Sequence, residues 1–258
     1  MQINKIYNES NLDTMARMPP EFVDLTVTSP PYDNLRKYNG YSFDFENVAK
    51  ELYRVTKHGG VVVWVVSDQT IEGNETGTSF RQALYFKEIG FNLLDTMISV
   101  CPGTGAKGSI LCYWQAFEYM FVFTKGSPKT TNRIADNLNR DYGKVRTISK
   151  KMREIGSRTD RPVPIKEFGV RTNFWFYGLG LNDRTEHPAP FPEQLAADHI
   201  YSWSNEGDLV YDPFMGSGTT AKMAHIQKRT WIGSEISTEY VKLAEKRIAP
   251  YLAQTTLF

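Results

Sequence analysis

Residues 209–221 read Leu-Val-Tyr-Asp-Pro-Phe-Met-Gly-Ser-Gly-Thr-Thr-Ala, and they give the clearest indication of the fold. A short apolar run leads into a turn that contains Gly216 and Gly218, and a helical pattern follows the turn. Glycine is needed where a backbone turns sharply or where a ligand must approach the main chain closely. The stretch therefore predicts a strand, a tight turn and a helix, as in a doubly wound α/β sheet.

Glu235 stands at the end of the next predicted strand, where a carboxylate can accept the protons of both hydroxyls of a ribose. This acid and the glycine turn together favour an adenosine-containing cofactor over a tight turn without a ligand. The glycines alone also fit a nicotinamide cofactor. A second glycine-rich stretch, residues 103–108, has no acidic partner at the right distance, and Ser109 follows it where a phosphate-binding loop has lysine. We predict only a loop there.

Strand and helix patterns alternate along most of the chain. Continuous Val, Ile and Leu runs predict buried strands, and apolar residues three and four apart predict helices. The predicted strands are 24–28, 61–66, 93–100, 119–124, 209–211 and 230–233, and the predicted helices are 43–56, 80–89, 191–202, 219–227 and 239–248. Such alternation is typical of a mostly parallel α/β sheet. Residues 125–186 interrupt it, which predicts one α/β domain with a long insert.

The composition is that of an ordinary soluble globular protein. The 258 residues are 41% hydrophobic and 23% charged, and the net charge is +1. No apolar run approaches the roughly 18 residues of a membrane span, and the first residues lack a signal-peptide core. The two cysteines, Cys101 and Cys112, cannot form a disulfide framework, and the four histidines show no metal-ligand spacing. We expect a cytoplasmic enzyme or binding protein without a metal, and we exclude the secreted, membrane, fibrous and disordered classes.

The tetrapeptide Ser29-Pro30-Pro31-Tyr32 follows the first predicted strand, and ligands gather at the carboxyl edge of open α/β sheets. The two prolines fix the turn, and Tyr32 supplies a flat aromatic face. Acceptor oxygens beside an aromatic ring suit an extruded planar base that carries an exocyclic amine. On its own, however, such a tetrapeptide is more often a rigid turn between a strand and a loop.

Taken together, the two motifs resemble those of the beta class of S-adenosylmethionine-dependent DNA amino methyltransferases, which methylate cytosine N4 or adenine N6. That family has a D/S/N-P-P-Y/F/W catalytic motif, here residues 29–32, and an F-x-G-x-G cofactor turn, here residues 214–218. Its beta class places the catalytic motif before the target-recognition insert and the cofactor turn after it, as in this chain. The likeness also covers residues 54–60, 118–125 and 187–192 and Glu235.

The resemblance implies a set of site residues. The catalytic residues would be Ser29, Pro30, Pro31 and Tyr32, and the S-adenosylmethionine-binding residues would be Glu9, His187, Asp212, Pro213, Phe214, Gly216, Gly218, Thr219, Thr220 and Glu235. The chain departs from the family at Asn8-Glu9, where Gly-Asp is usual.

The resemblance also implies a direct methyl transfer without a covalent enzyme intermediate. The Ser29 side chain and the Pro30 carbonyl would accept the protons of the amine, and Tyr32 would stack on the flipped base. Serine at the first motif position favours cytosine N4 over adenine N6. Cys101 precedes proline, the reverse of the order in carbon-5 cytosine methyltransferases. An adenine-N6 enzyme, an RNA or protein-amide methyltransferase and an inactive DNA-binding homologue remain open alternatives.

The near-zero net charge conceals two surfaces of opposite charge. Residues 125–186 contain fourteen Lys and Arg against seven Asp and Glu, a net charge of +7, so the remainder carries −6. Phosphate neutralisation explains such a concentration of positive charge. We therefore predict a target-recognition insert over residues 126–186, between a catalytic half (1–125) and a cofactor-binding half (187–258). Its predicted DNA-binding residues are Arg146, Lys150, Lys151, Arg153, Arg158 and Arg161.

The expected partner is double-stranded DNA, with no membrane and no metal. A homodimer fits, because dimers are frequent in the beta class. A cognate restriction endonuclease is a further possible partner. The chain could equally be an orphan enzyme or a phage-encoded enzyme. In each case we expect it in a prokaryotic cytoplasm, associated with the nucleoid. Within the insert, the aromatic run 173–177 predicts core packing in preference to a platform for bases.

Overall fold

The structure, a computed structural model, describes residues 1–31, 43–100, 112–147, 162–177 and 192–253. The chain divides into two compact units. The first comprises Met1–Asn132 and Asn173–Phe258, and the second comprises Arg133–Thr172. The second unit falls inside the basic stretch of the sequence.

The described residues contain fourteen strands and six helices. The strands are β1 (Lys5–Tyr7), β2 (Val23–Thr28), β3 (Thr56–Val66), β4 (Thr70–Ile71), β5 (Asn74–Glu75), β6 (Asn92–Val100), β7 (Phe117–Thr124), β8 (Asn137–Leu138), β9 (Val145–Thr147), β10 (Pro162–Pro164), β11 (Phe168–Gly169), β12 (Phe174–Phe176), β13 (Leu209–Asp212) and β14 (Thr230–Ser234). The helices are α1 (Asn11–Ala16), α2 (Phe45–Val55), α3 (Thr78–Glu88), α4 (Glu193–Trp203), α5 (Thr219–Ile226) and α6 (Thr238–Ala253).

Eight of these strands form one sheet in the first unit, in the order β1-β14-β13-β2-β3-β7-β6-β12. Every neighbouring pair is parallel except the two that involve β7, which runs antiparallel to both β3 and β6. The predicted doubly wound, mostly parallel α/β fold is thereby confirmed. Each strand and helix predicted within the described residues is present. The sequence patterns did not predict β1, α1 or the short strands β4, β5 and β8 to β12.

The centre of the sheet is fully buried. All six residues of β2 are buried, and so is the run Val61–Val66 of β3, because helices cover these strands. On one face, Trp64 packs against Phe86 of α3 with ring centroids 5.1 Å apart, and Phe86 stacks on Phe123 of β7 at 4.6 Å. This packing holds the central strands in place. In open α/β sheets, ligands bind at the carboxyl ends of such strands.

The edge strand β12 explains the aromatic run of the sequence. Trp175 and Tyr177 are buried, whereas Phe174 and Phe176 are 49% and 65% exposed. Alternate residues of a strand point to opposite faces, so only half of the run packs into the core. The core-packing prediction is right for Trp175 and Tyr177 alone.

The second unit consists of two nested hairpins in its described part. β8 pairs with β11 and β9 pairs with β10, both antiparallel. Arg171 forms an ion pair with Asp136, with 2.5 Å between Nη2 and Oδ2. Arg146 lies exposed in β9, opposite Val163 of β10. Throughout the described part of the chain, no helix combines the length and the apolar character needed to cross a membrane.

His199 is buried between α4 and the sheet. Its Nδ1 accepts a hydrogen bond from the Trp203 indole at 3.2 Å, which leaves the ring proton on Nε2, 3.2 Å from the sulfur of Met120. The Trp175 ring lies 4.8 Å from the imidazole, centroid to centroid. Burial lowers the pKa of His199 from 6.5 to about 3, so the folded protein keeps this imidazole neutral.

The burial of His199 predicts a loss of stability in mild acid. Below pH 6.5 the unfolded chain binds a proton at this residue and the folded chain does not, so the free energy of unfolding falls as the pH drops towards 3. The slope for one group approaches about 1.4 kcal/mol per pH unit. His199→Gln keeps an acceptor for Trp203 and cannot titrate. Urea unfolding between pH 5 and 8 should show a shallower pH dependence for this variant, and an unchanged pH dependence would contradict the assignment.

Candidate active site

The two sequence motifs meet at one edge of the sheet. β2 ends at Thr28, directly before Ser29, and β13 ends at Asp212, directly before the glycine turn. The two strands are parallel neighbours, with Val210 opposite Leu25. Their carboxyl ends therefore lie side by side, in the crevice where open α/β sheets bind ligands.

A buried hydrogen bond joins the two strand ends. The Thr28 hydroxyl donates to Oδ1 of Asp212 at 2.6 Å, and the backbone N–H of Phe214 donates to the same oxygen at 3.0 Å. A second link runs from the Thr220 hydroxyl to the carbonyl of Val27 at 3.1 Å. Burial raises the pKa of Asp212 to about 6, although the bonds from Thr28 and Phe214 oppose that shift. The Asp212 carboxylate thus holds the cofactor turn to the catalytic strand.

The catalytic tetrapeptide is described up to Pro31. Pro30 is buried, and Ser29 and Pro31 are partly exposed. Tyr32 lies outside the described residues, so its stacking role stays a prediction. Because Ser29 directly follows Thr28, the hydrogen bond between Thr28 and Asp212 also restricts the position of Ser29.

The glycine turn has the backbone geometry that its sequence predicts. Gly216 and Gly218 have φ angles of 49° and 80°, in the left-handed region that favours glycine. A Cβ on Gly218 would also lie 2.9 Å from the Cβ of Ala244 in α6. The backbone therefore favours glycine at both positions, and at Gly218 the packing against α6 favours it as well.

The Glu235 carboxylate closes the turn. Its Oε2 accepts from the Gly216 N–H and its Oε1 accepts from the Ser237 N–H, both at 2.8 Å. Burial raises the pKa of Glu235. Each carboxylate oxygen can accept a further hydrogen bond, so two ribose hydroxyls could bind here while the turn keeps its shape. The donor and acceptor set at this edge therefore fits the adenosine portion of the predicted cofactor.

The N-terminal residues reach the same edge. Asn8 donates from Nδ2 to the carbonyls of Glu235 and Ile236, at 2.9 and 3.1 Å. The Glu9 carboxylate accepts from Thr14 at 2.7 Å and pairs with Arg17, and the Arg17 hydrogen bond is the main reason that the pKa of Glu9 is lowered. The sequence predicts no contact for Asn8, which the structure places against the end of β14. A role for Glu9 in cofactor binding stays a prediction.

Several predicted cofactor residues have side chains that face the protein. Thr219 and Thr220 are buried, and the carbonyl of Pro213 accepts a hydrogen bond from Asn11 at 3.2 Å. The partly exposed Phe214 ring lies edge-on to Trp64, with centroids 6.2 Å apart. These residues form the support of the turn, and their direct contact with a cofactor stays a prediction.

The remaining predicted residues are not brought together by the described structure. Arg146 is exposed in the second unit. The others that lie outside the described residues, besides Tyr32, are His187, Lys150, Lys151, Arg153, Arg158 and Arg161. Within residues 1–31, 43–100, 112–147, 162–177 and 192–253, no group of three or more His, Cys, Asp or Glu side chains could hold a metal ion.

The Thr28–Asp212 bond predicts a contrast between two threonines of the same strand. Thr28→Val removes a donor from a buried carboxylate and should lower the free energy of unfolding by about 1–3 kcal/mol. Thr26→Val is the matched control, because the buried Thr26 hydroxyl has no hydrogen-bond partner among the described residues. That change should be neutral or stabilising. Urea unfolding of both variants is the test, and equal losses would contradict the bond.

Comparison with known proteins agrees with this geometry. The DNA methylase family (N6/N4 methyltransferases) matches residues 23–246. The orphan methyltransferase M.BamHII of Bacillus amyloliquefaciens is 56% identical over 244 residues, which cover 89% of this chain and 90% of that protein.

Two solved structures share the fold. The putative DNA modification methylase TTHA0409 of Thermus thermophilus, solved with S-adenosyl-L-methionine, has a TM-score of 0.66 at 23% identity, over 97% of this chain and 95% of that one. The PvuII DNA methyltransferase, described as cytosine-N4-specific, has a TM-score of 0.67 at 20% identity, over 97% and 91%.

The family match spans most of the chain and includes both motifs, and the identity to M.BamHII is far above what a shared fold alone requires. The chain therefore belongs to the N6/N4 DNA methylase family, and it is a DNA methyltransferase whose methyl donor is S-adenosylmethionine.

Proposed function

We propose that the protein transfers a methyl group from S-adenosylmethionine to the exocyclic N4 of cytosine at a specific sequence in duplex DNA. The observation that carries this proposal is the hydrogen bond between Thr28 and Asp212. It joins the catalytic turn to the cofactor turn, so an amine at Ser29 and a methyl donor at Gly216 would be neighbours.

The cofactor supplies an electrophilic methyl group on a sulfonium. The exocyclic amine is a poor nucleophile, because its lone pair is delocalised into the base. The residues of this chain must therefore increase its nucleophilicity. The Ser29 hydroxyl and the Pro30 carbonyl accept hydrogen bonds from the N–H groups of the amine, which localises that lone pair, and one of these protons passes to water as the bond from nitrogen to the methyl group forms. Holding nitrogen and methyl in line supplies the remainder through proximity.

The target base must leave the duplex to reach this edge. Extrusion costs a few kcal/mol, and stacking on Tyr32 recovers about 1–3 kcal/mol of that. Glu235 accepts the ribose hydroxyls of the cofactor, and Gly216 permits close approach to the backbone. Asp212, Thr219 and Thr220 shape the turn, while Pro213, Phe214 and Gly218 set its path, and Glu9 and His187 complete the cofactor site.

The positive charge of the insert supports DNA contact by the second unit. Residues 133–172 carry eleven Lys and Arg against five Asp and Glu. Neutralising phosphates with such residues gives affinity without sequence preference, and a subset of the arginines would read guanine edges. The relative M.BamHII is named an orphan methyltransferase, which favours a role without a cognate endonuclease for this chain too.

Two observations support cytosine N4 as the acceptor. The catalytic motif begins with serine, and the structurally similar PvuII enzyme is described as cytosine-N4-specific. Adenine N6 is the alternative within the same family, and both amines lie beside a ring nitrogen. The first experiment must therefore identify the methylated base as well as detect methyl transfer.

Transfer of a radiolabelled methyl group from S-adenosylmethionine to duplex DNA is the direct test. We expect label in DNA of mixed sequence, and nucleoside analysis should find N4-methylcytosine. Tyr32→Ala tests the stacking role: it should bind cofactor normally and transfer methyl groups slowly, because only base stacking is lost. N6-methyladenine would overturn the choice of base, and unlabelled DNA with normal cofactor binding would overturn DNA as the substrate.

A further inference from the structure

Helix α6 packs directly on the back of the cofactor turn. A Cβ added to Gly218 would lie 2.9 Å from the Cβ of Ala244 and 3.1 Å from Cδ1 of Ile248. Arg247 lies three residues after Ala244 and directly before Ile248, and residues three and four apart share one face of a helix. One face of α6 therefore meets the turn with two apolar side chains and one guanidinium.

The Arg247 guanidinium contacts the turn at three oxygen atoms. Its Nη1 lies 2.9 Å from the Thr219 hydroxyl, 3.0 Å from the Ser217 hydroxyl and 3.3 Å from the Ser217 carbonyl. The side chain is only 14% exposed, so these contacts are largely shielded from water. Hydrogen bonds from a charged donor are stronger than neutral ones, and they define the orientation of the groups they bind.

The carboxylate of Glu193 holds the guanidinium in this position. Oε1 of Glu193 accepts from Nη2 of Arg247 and from Nζ of Lys222, the second at 2.6 Å. Burial alone would raise the pKa of Glu193, but the bonds from Lys222 and Arg247 outweigh it and lower that pKa. Glu193 is the first residue of α4, Lys222 lies in α5 and Arg247 lies in α6. Three helices therefore meet at this carboxylate, behind the turn.

We propose that Arg247, held by Glu193, is a positioning residue that keeps the turn in the conformation that binds S-adenosylmethionine. The turn needs left-handed backbone at Gly216 and Gly218, and glycine loses more entropy on ordering than any other residue type. Its polar groups also need hydrogen-bond partners. Arg247 supplies those partners at Ser217 and Thr219, from the side of the turn that packs on α6. The inference rests on the proposed cofactor site and adds to it a residue that acts through the turn.

Lys222 separates this role from simple structural support. It shares the Glu193 carboxylate with Arg247, and its side-chain ammonium also lies over the Tyr251 ring at 4.9 Å. Both of these partners lie outside the turn. Lys222→Met therefore removes an ion pair from the same carboxylate without removing a partner of Ser217 or Thr219.

The test compares Arg247→Met, Arg247→Lys and Lys222→Met in the full-length protein. Calorimetric titration with S-adenosylmethionine and with S-adenosylhomocysteine gives Kd, and steady-state methylation of DNA gives KM for the cofactor and kcat. Arg247→Met should raise Kd and KM about tenfold or more, the effect of losing charge-assisted hydrogen bonds, with a smaller change in kcat. Lys222→Met should stay within about twofold of wild type, and Arg247→Lys should lie between.

Two results with the variants would overturn the proposal. Unchanged cofactor affinity in Arg247→Met would exclude a role for Arg247 in the turn, and equal weakening in Arg247→Met and Lys222→Met would reduce the cluster to structural support. If Arg247→Met does not fold, Arg247→Lys and Glu193→Gln replace it, because both retain a polar side chain. The proposal predicts a raised Kd for S-adenosylmethionine in both, and an unchanged Kd in both would overturn it. Wild type that binds cofactor but does not label DNA would refute the proposed function alone, and wild type that binds no cofactor would refute both.

Discussion

The functional edge depends on one buried hydrogen bond, from the Thr28 hydroxyl to the Asp212 carboxylate. The two residues are 184 positions apart in the sequence; Thr28 directly precedes the catalytic motif, and Asp212 lies two residues before Phe214, where the cofactor motif begins. A buried carboxylate is costly unless it is hydrogen-bonded, so the fold keeps Thr28 and the Phe214 N–H beside Asp212. The catalytic turn cannot shift relative to the cofactor turn without removing the Thr28 donor from that buried carboxylate.

The cofactor turn repeats the same device on its other side. Glu235 is also partly buried, and it accepts N–H groups from Gly216 and Ser237. The turn is therefore held by two acids, Asp212 at the end of its own strand and Glu235 directly after the neighbouring strand β14. Burial raises the pKa of both, which is the electrostatic result of placing two carboxylates where few water molecules reach them. α6 closes the arrangement from behind, through Ala244, Ile248 and Arg247.

The sequence predicted those features that reside in short stretches of chain. The run Val61–Val66 is apolar throughout, and Gly216 and Gly218 have the left-handed backbone that favours glycine. Partnerships between distant residues left no such signal. Asp212 is a predicted cofactor residue, yet its carboxylate bonds to Thr28, and no local pattern marks Arg247 as a neighbour of Ser217. The exposed half of β12 was likewise beyond prediction, because it depends on which face of an edge strand the helices cover.

Charge shows the same division between local and distant information. The basic excess of residues 125–186 is visible in the sequence, and it survives as eleven basic against five acidic residues in the second unit. The ion pair between Arg171 and Asp136 joins residues that are 35 positions apart, and only the nested hairpins bring them together. A basic surface can thus be recognised from composition, while its internal pairing follows from the fold.

We infer that one crevice, at the carboxyl ends of β2, β13 and β14, holds the methyl donor beside the catalytic turn. A crystal structure of the protein with S-adenosylhomocysteine tests it most directly. We expect the ribose hydroxyls within hydrogen-bond distance of the Glu235 carboxylate and the sulfur facing Ser29 and Pro30. An adenosine bound away from Glu235, or a sulfur directed away from the Ser29 turn, would contradict it.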